Sequence, residues 1–166
     1  MQSLRYDGYD VVFQEVPGET TLVFNITGCL HKCPGCHSEY LWDYHGKLLK
    51  DDLGKLLNKY DGLITTVCLM GGDQNIDELI ETFRYVKSRG LKTCLYTGLD
   101  DLDSLGTTNM VNLLNTLDYY KTGHFDIVLG GLDSPCSNQK FYARRKYDNE
   151  FEECSYKFWK APYKVD

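Results

Sequence analysis

A chain of 166 residues is the size of one ordinary domain and can bury roughly two-thirds of the surface that its unfolded form exposes. Its hydrophobic content of 42% and aromatic content of 13% are globular rather than disordered, and residues 1–166 read as a single domain without repeat or linker. Eighteen basic against 24 acidic side chains leave a net charge of -6, which argues against broad attraction to nucleic acid or to an anionic membrane surface.

Met1 is followed by Gln-Ser-Leu-Arg-Tyr-Asp, with no basic start and no apolar h-region. No later run approaches the ~20 apolar residues of a bilayer span, so the expected compartment is the cytoplasm. Seven cysteines are there expected to be thiols or metal ligands rather than a disulfide framework. The first predicted strand is Thr21 to Thr27, where Leu22, Phe24 and Ile26 alternate with Thr21, Val23 and Asn25. It runs into the loop Gly28-Cys-Leu-His-Lys-Cys-Pro-Gly-Cys-His37, which spaces Cys29, Cys33 and Cys36 as C-x-x-x-C-x-x-C. Three thiols on one bent loop can converge on a metal centre. Without an obvious fourth cysteine, an iron-sulfur cluster or metal held there keeps an open position where a small molecule can be activated. His31 or His37 could instead close a structural zinc site of the Cys3His kind. His37 is otherwise expected to pack beside the centre or to hydrogen-bond one of its sulfurs.

Downstream, Leu49, Leu53, Leu56, Leu57 and Tyr60 recur at helical spacing up to Asp61-Gly62. A second strand, Leu63 to Met70, stops at Gly71-Gly72-Asp73, a turn that zinc at the cysteines would leave unexplained. Asn75 can cap the next helix with Glu78 three residues on, and Ile76, Leu79, Ile80, Phe83 and Val86 form its inner face as far as Gly90. Lys92 to Tyr96 is a short strand ending at Thr97-Gly98, Asp100 to Leu117 a broken helical stretch, and Asp118 to Thr122 a fourth strand closed by Gly123. A Gly/Ser/Pro-rich loop from Gly130 to Asn138, ordered by Ser137, Asn138 and Gln139, precedes a strand at Phe141 to Tyr147 and an aromatic tail. Cys68 and Cys94 fall in apolar runs and are expected in the core. Tyr40, Trp42, Tyr44, Phe158 and Trp159 fit either a core or a docking surface.

Strands alternating with helices imply an α/β fold with right-handed crossovers and a mainly parallel sheet. Ligands gather at the carboxyl ends of such strands, so Gly28-Cys29, Gly71-Gly72-Asp73, Thr97-Gly98 and Lys121-Thr122-Gly123 are expected to line one mouth.

The cysteine spacing after the first strand, with a Gly-Gly-acidic turn after the second, resembles the radical S-adenosylmethionine (radical SAM) enzymes. Within that superfamily, Phe13-Gln-Glu-Val-Pro-Gly18, Cys36-His-Ser, Leu41-Trp-Asp43, Thr97-Gly98 and Ser137-Asn-Gln-Lys140 are similar to the activating proteins of anaerobic ribonucleoside-triphosphate reductase, over Phe13 to Tyr142. Cys36-His37 and Trp42-Asp43 are similar also to pyruvate formate-lyase activating enzymes.

The resemblance implies a partial, open (βα) barrel and a 4Fe-4S cluster on Cys29, Cys33 and Cys36, whose fourth iron chelates the amino and carboxylate groups of SAM. It further implies that a low-potential donor such as flavodoxin or ferredoxin reduces the cluster, that SAM is cleaved, and that the 5'-deoxyadenosyl radical takes hydrogen from a glycine of the reductase. Gly71 and Gly72 would let the backbone approach the methionine end of SAM, and Asp73 would accept from its ammonium, although relatives usually carry the longer glutamate there. Thr97 and Gly98 would contact the carboxylate or ribose. Lys121 could pair with the carboxylate, although a solvated lysine is the plainer expectation, and Asp118 reads as structural. Relatives often place an aromatic residue where this chain has Gly35, so adenine stacking is expected from elsewhere, if at all. Activation of another glycyl-radical enzyme, small-molecule radical SAM chemistry and a purely structural metal module are the alternatives.

Overall fold

The computed structural model describes residues 1–160. In chain order its strands and α-helices are β1 (Arg5–Val12), β2 (Thr21–Ile26), β3 (Lys47–Leu48), α1 (Leu49–Lys59), β4 (Thr66–Met70), α2 (Ile76–Ser88), β5 (Lys92–Tyr96), α3 (Thr107–Leu114), β6 (Tyr119–Thr122), β7 (Lys140–Arg144) and β8 (Phe151–Glu153). All the strands join one sheet in the order β3-β1-β2-β4-β5-β6-β7-β8.

The neighbours β2, β4, β5 and β6 are parallel. The flanking strands are antiparallel: β1 on β2, β3 on β1, β7 on β6 and β8 on β7. The expected mainly parallel sheet is thus a mixed one with a parallel centre. β1 eluded the periodicity argument because Gly8 and two aspartates interrupt its apolar positions, and its register slips between Tyr6 and Tyr9. β3 and β8 are too short to show a period. These short strands form the sheet's edges, which limits the unpaired backbone on offer to other chains.

Because the parallel strands advance in one direction across the sheet, right-handed crossovers put all three connecting helices on the same face. There Leu53 and Leu57 of α1, Leu79, Phe83 and Val86 of α2, and Leu113 of α3 meet Leu22, Phe24, Val67, Leu69 and Leu95 in one apolar cluster. Each such side chain, fully buried, contributes about 1.5–3 kcal/mol. The alternate strand residues Val23, Cys68 and Cys94 face the other way, against Val16, Phe141, Cys154 and Phe158. Cys68 and Cys94 are therefore core residues, and burial, with the adjoining Cys68 thiol, pushes the Cys94 thiol well above its ordinary value.

Asn75 caps α2 as its position suggests, accepting at Oδ1 from the Glu78 N–H (3.2 Å). The rest of the expected capping box is redirected: Glu78 accepts from the Leu4 N–H, and Asn75 Nδ2 donates to the Gln2 carbonyl (2.8 Å), so the start of α2 anchors the entry to β1. Among the described residues no helix is long and apolar enough to cross a membrane.

Candidate functional site

The carboxyl ends of all four parallel strands open into one cavity of about 280 Å³. Its lining includes Asn25 and Ile26 from β2, Met70 and Gly71 from β4, Tyr96, Thr97 and Gly98 from β5, and Lys121 and Gly123 from β6. The loop after β2 folds over this mouth and adds Cys29, Cys33 and Cys36. Of the residues expected at this mouth from the sequence, all but Gly28, Gly72 and Thr122 line the cavity.

The cysteine loop is fixed from both ends. Gly28 and Cys29 donate backbone N–H groups to the Leu41 carbonyl (2.8 and 3.1 Å), and Cys36 donates to the Cys33 carbonyl (3.1 Å) across the Pro34-Gly35 turn. The three thiols are free and half-buried, and Cys36 Sγ accepts from the Ser38 N–H (3.3 Å). Among the described residues no group of three or more His, Cys, Asp or Glu side chains is arranged to hold a metal ion. This donor set nevertheless fits a 4Fe-4S cluster, which spreads its thiolates over separate irons. Trp42 lines the same cavity, and its buried Nε1 lacks a partner among the described residues.

Gly71 and Gly72 both have φ +107°, a region that side-chain-bearing residues rarely adopt, which explains the pair after β4. Their orientations differ. Gly71 borders the cavity, whereas a Cβ on Gly72 would stand 3.0 Å from Leu79 and 3.6 Å from Leu4, in the core under α2. The Gly72 carbonyl is also occupied by the Asn75 N–H (3.1 Å).

Asp73 is mostly buried and accepts at Oδ2 from Thr97 Oγ1 (2.6 Å) and from His31 Nε2 (2.7 Å). Burial opposes its ionisation, yet the bonds from His31 and Thr97 hold the carboxyl below the usual range. His31 is engaged at Nε2 with Asp73, and His37 packs edge-on against Phe125 with ring centroids 5.5 Å apart.

Lys121 is buried rather than solvated, contrary to the plainer expectation, because β6 lies between β5 and β7 and turns this side chain into the cavity. Its Nζ donates to the carbonyls of Thr97 (3.2 Å) and Gly123 (2.9 Å), leaving one of its three protons for a ligand. Burial pulls it down to about 8, against the opposing pull of Cys33, Asp73, Cys29 and Asp100. Asp118 is structural as read, accepting from the Thr93 N–H (3.0 Å) and Lys87 Nζ (2.9 Å).

Sequence reasoning missed the cavity-facing roles of Asn25, Phe125 and Gln139, of which only Gln139 lay in a noted motif. Ser137 does order its loop, donating to the Gly130 carbonyl (2.8 Å) and accepting from the Gln139 N–H (3.0 Å).

A family profile described as a 4Fe-4S single cluster domain matches residues 16–140, three-quarters of the chain and the whole span of this cavity. The chain belongs to the 4Fe-4S single cluster domain family. Relatives bear the name anaerobic ribonucleoside-triphosphate reductase-activating protein, in line with the resemblance read from the sequence. The one from Escherichia coli K12 is 28% identical over 122 residues, covering 66% of this chain and 78% of its own. That of bacteriophage T4 is 34% identical over 94 residues, 52% of this chain and 60% of its own, and that of Salmonella typhi 28% identical over 130 residues, 69% and 82%. The matched segment contains the whole of the cysteine-lined cavity.

Proposed function

We propose that this chain is a radical SAM activating enzyme that generates a glycyl radical on anaerobic ribonucleoside-triphosphate reductase, taking electrons from a low-potential donor in the cytoplasm. The observation that carries the reading is the meeting of Cys29, Cys33 and Cys36 with Gly71, Asp73, Thr97, Gly98 and Lys121 in one cavity of a 4Fe-4S domain. The one-directional winding of the parallel strands supports a partial, open radical SAM barrel.

In this reading Cys29, Cys33 and Cys36 hold the cluster. When bound, the cluster supplies the electron that cleaves SAM, and SAM supplies the hydrogen-abstracting group. The chain's own residues bind and orient. Asp73 and the Gly71 carbonyl accept from the SAM ammonium, while the remaining proton of Lys121 is directed at its carboxylate. Gly98 allows a close approach at the mouth, and Gly72 acts through the turn it permits. Met70, Tyr96 and Phe125 exclude water from the reacting groups. With few strands enclosing the mouth, the reductase segment that carries the glycine would complete the enclosure.

Protein purified without oxygen is expected to be brown, to hold about four irons per chain, to bleach in air and to change spectrally on adding SAM. Single alanine substitutions at Cys29, Cys33 or Cys36 should abolish the colour. Colourless protein with stoichiometric zinc would overturn the proposal.

A further inference from the structure

We infer that His31 is a positioning residue that latches the cysteine loop to the ligand-binding strand ends through Asp73, and that Gly98 lacks a side chain in order to seat its ring. The inference rests on the SAM-binding reading of this cavity. His31 stands between Cys29 and Cys33, yet its Nε2 reaches 2.7 Å to Asp73 Oδ2 on the turn after β4. A Cβ on Gly98, at the end of β5, would lie 2.7 and 2.8 Å from the ring's Cδ2 and Cγ. One imidazole therefore ties together the loop after β2, the turn after β4 and the end of β5.

The chemistry of the contact explains its use. Thr97 Oγ1 also bonds Asp73 Oδ2 (2.6 Å), and its oxygen accepts from the Leu99 N–H (3.1 Å), so both strong donors fall on one carboxylate oxygen. Two bonds on Oδ2 restrain rotation of the carboxylate, and no other residue donates to Oδ1 among the described residues, so Oδ1 is the oxygen left to take a ligand's ammonium. An aspartate has a short reach, so its oxygen must be held in place to serve. The same bond fixes the distance between the cysteine loop and the groups that would hold SAM, which lets loop position and ligand position depend on each other.

The test uses anaerobically reconstituted protein and three readouts: iron per chain, SAM dissociation constant by calorimetry, and the change in the reduced cluster's electron paramagnetic resonance on adding SAM. His31→Ala is expected to keep its iron while binding SAM about tenfold more weakly, with a diminished spectral change. His31→Gln retains an N–H at similar reach and should recover part of the affinity. Asp73→Asn should weaken SAM similarly, and adding His31→Ala to it should weaken binding no further, because His31 acts through Asp73. Gly98→Ala should mimic His31→Ala, and the double variant should be no worse than either single one. Unchanged SAM affinity in His31→Ala, additive losses in the double variants, or loss of iron from both His31→Ala and His31→Gln would each overturn the inference. Iron-loaded wild-type protein that binds no SAM would overturn the underlying reading and the inference with it, whereas wild-type binding matched by His31→Ala defeats the inference alone.

Discussion

The Lys121 ammonium gives two protons to carbonyls at the ends of β5 and β6 and sits where its charge is costly, which brings it down to about 8. Pairing with a carboxylate needs the charged form. Affinity for SAM should therefore be level below that value and decline as pH rises through it, since deprotonation removes the positive partner. Calorimetry between about pH 7 and about pH 9 can follow this, with Lys121→Met expected to bind about tenfold more weakly near pH 7 and to lose the decline. Parallel profiles for the two proteins would remove Lys121 from the site. Gly72 calls for the opposite kind of experiment. With φ +107° and Leu79 at 3.0 Å from an added Cβ, Gly72→Ala should cost about 1–3 kcal/mol of stability, read as a lower melting temperature, while SAM affinity of the folded protein stays unchanged. A weaker SAM affinity without a fall in stability would place Gly72 at the ligand after all.

Among the elements, those with a clean period were legible. The alternation read over Thr21 to Thr27 is β2 apart from its last residue, the run read over Leu63 to Met70 is β4 from Thr66 onward, and the Leu79, Phe83 and Val86 face of α2 fell where the structure has it. The parallel direction of β2, β4, β5 and β6 was legible from the alternation of strands with helices, but the antiparallel flanks were not, because a side-chain period carries no sign of which way the neighbour runs. β1 was hidden for a related reason: its polar, glycine-broken stretch is held by pairing to β2 rather than by apolar burial on one face. The positions of the candidate site's groups were readable as strand ends, but their partners were not. Nothing local to Cys-Leu-His-Lys-Cys indicates that His31 meets Asp73, 42 positions away. Nor does Tyr-Tyr-Lys-Thr indicate that its lysine is buried. Two outcomes follow at this scale. Asn75→Ala removes both the α2 cap and the tie to Gln2 and should cost about 1–2 kcal/mol in denaturant unfolding; a change below a few tenths would mean the cap is not used. Cys68→Ala, within the core and outside the cavity, should leave iron content unchanged, and loss of iron would bring this thiol into the cluster's account.

For the whole molecule, one direction of winding sends the helices to a single face and brings four strand ends together at one mouth, over which the cysteine loop folds. In the proposed function that arrangement would place the cluster and SAM side by side and leave the approach open to the reductase. The relatives are named for activating that reductase. The most direct measurement is electron paramagnetic resonance of a cognate anaerobic ribonucleoside-triphosphate reductase incubated without oxygen with this protein, SAM and a low-potential reductant. The account predicts a glycyl-radical doublet that disappears in air and is absent when Cys29, Cys33 or Cys36 is replaced by alanine. Iron-loaded protein that neither cleaves SAM nor produces this doublet with the reductase present would contradict it.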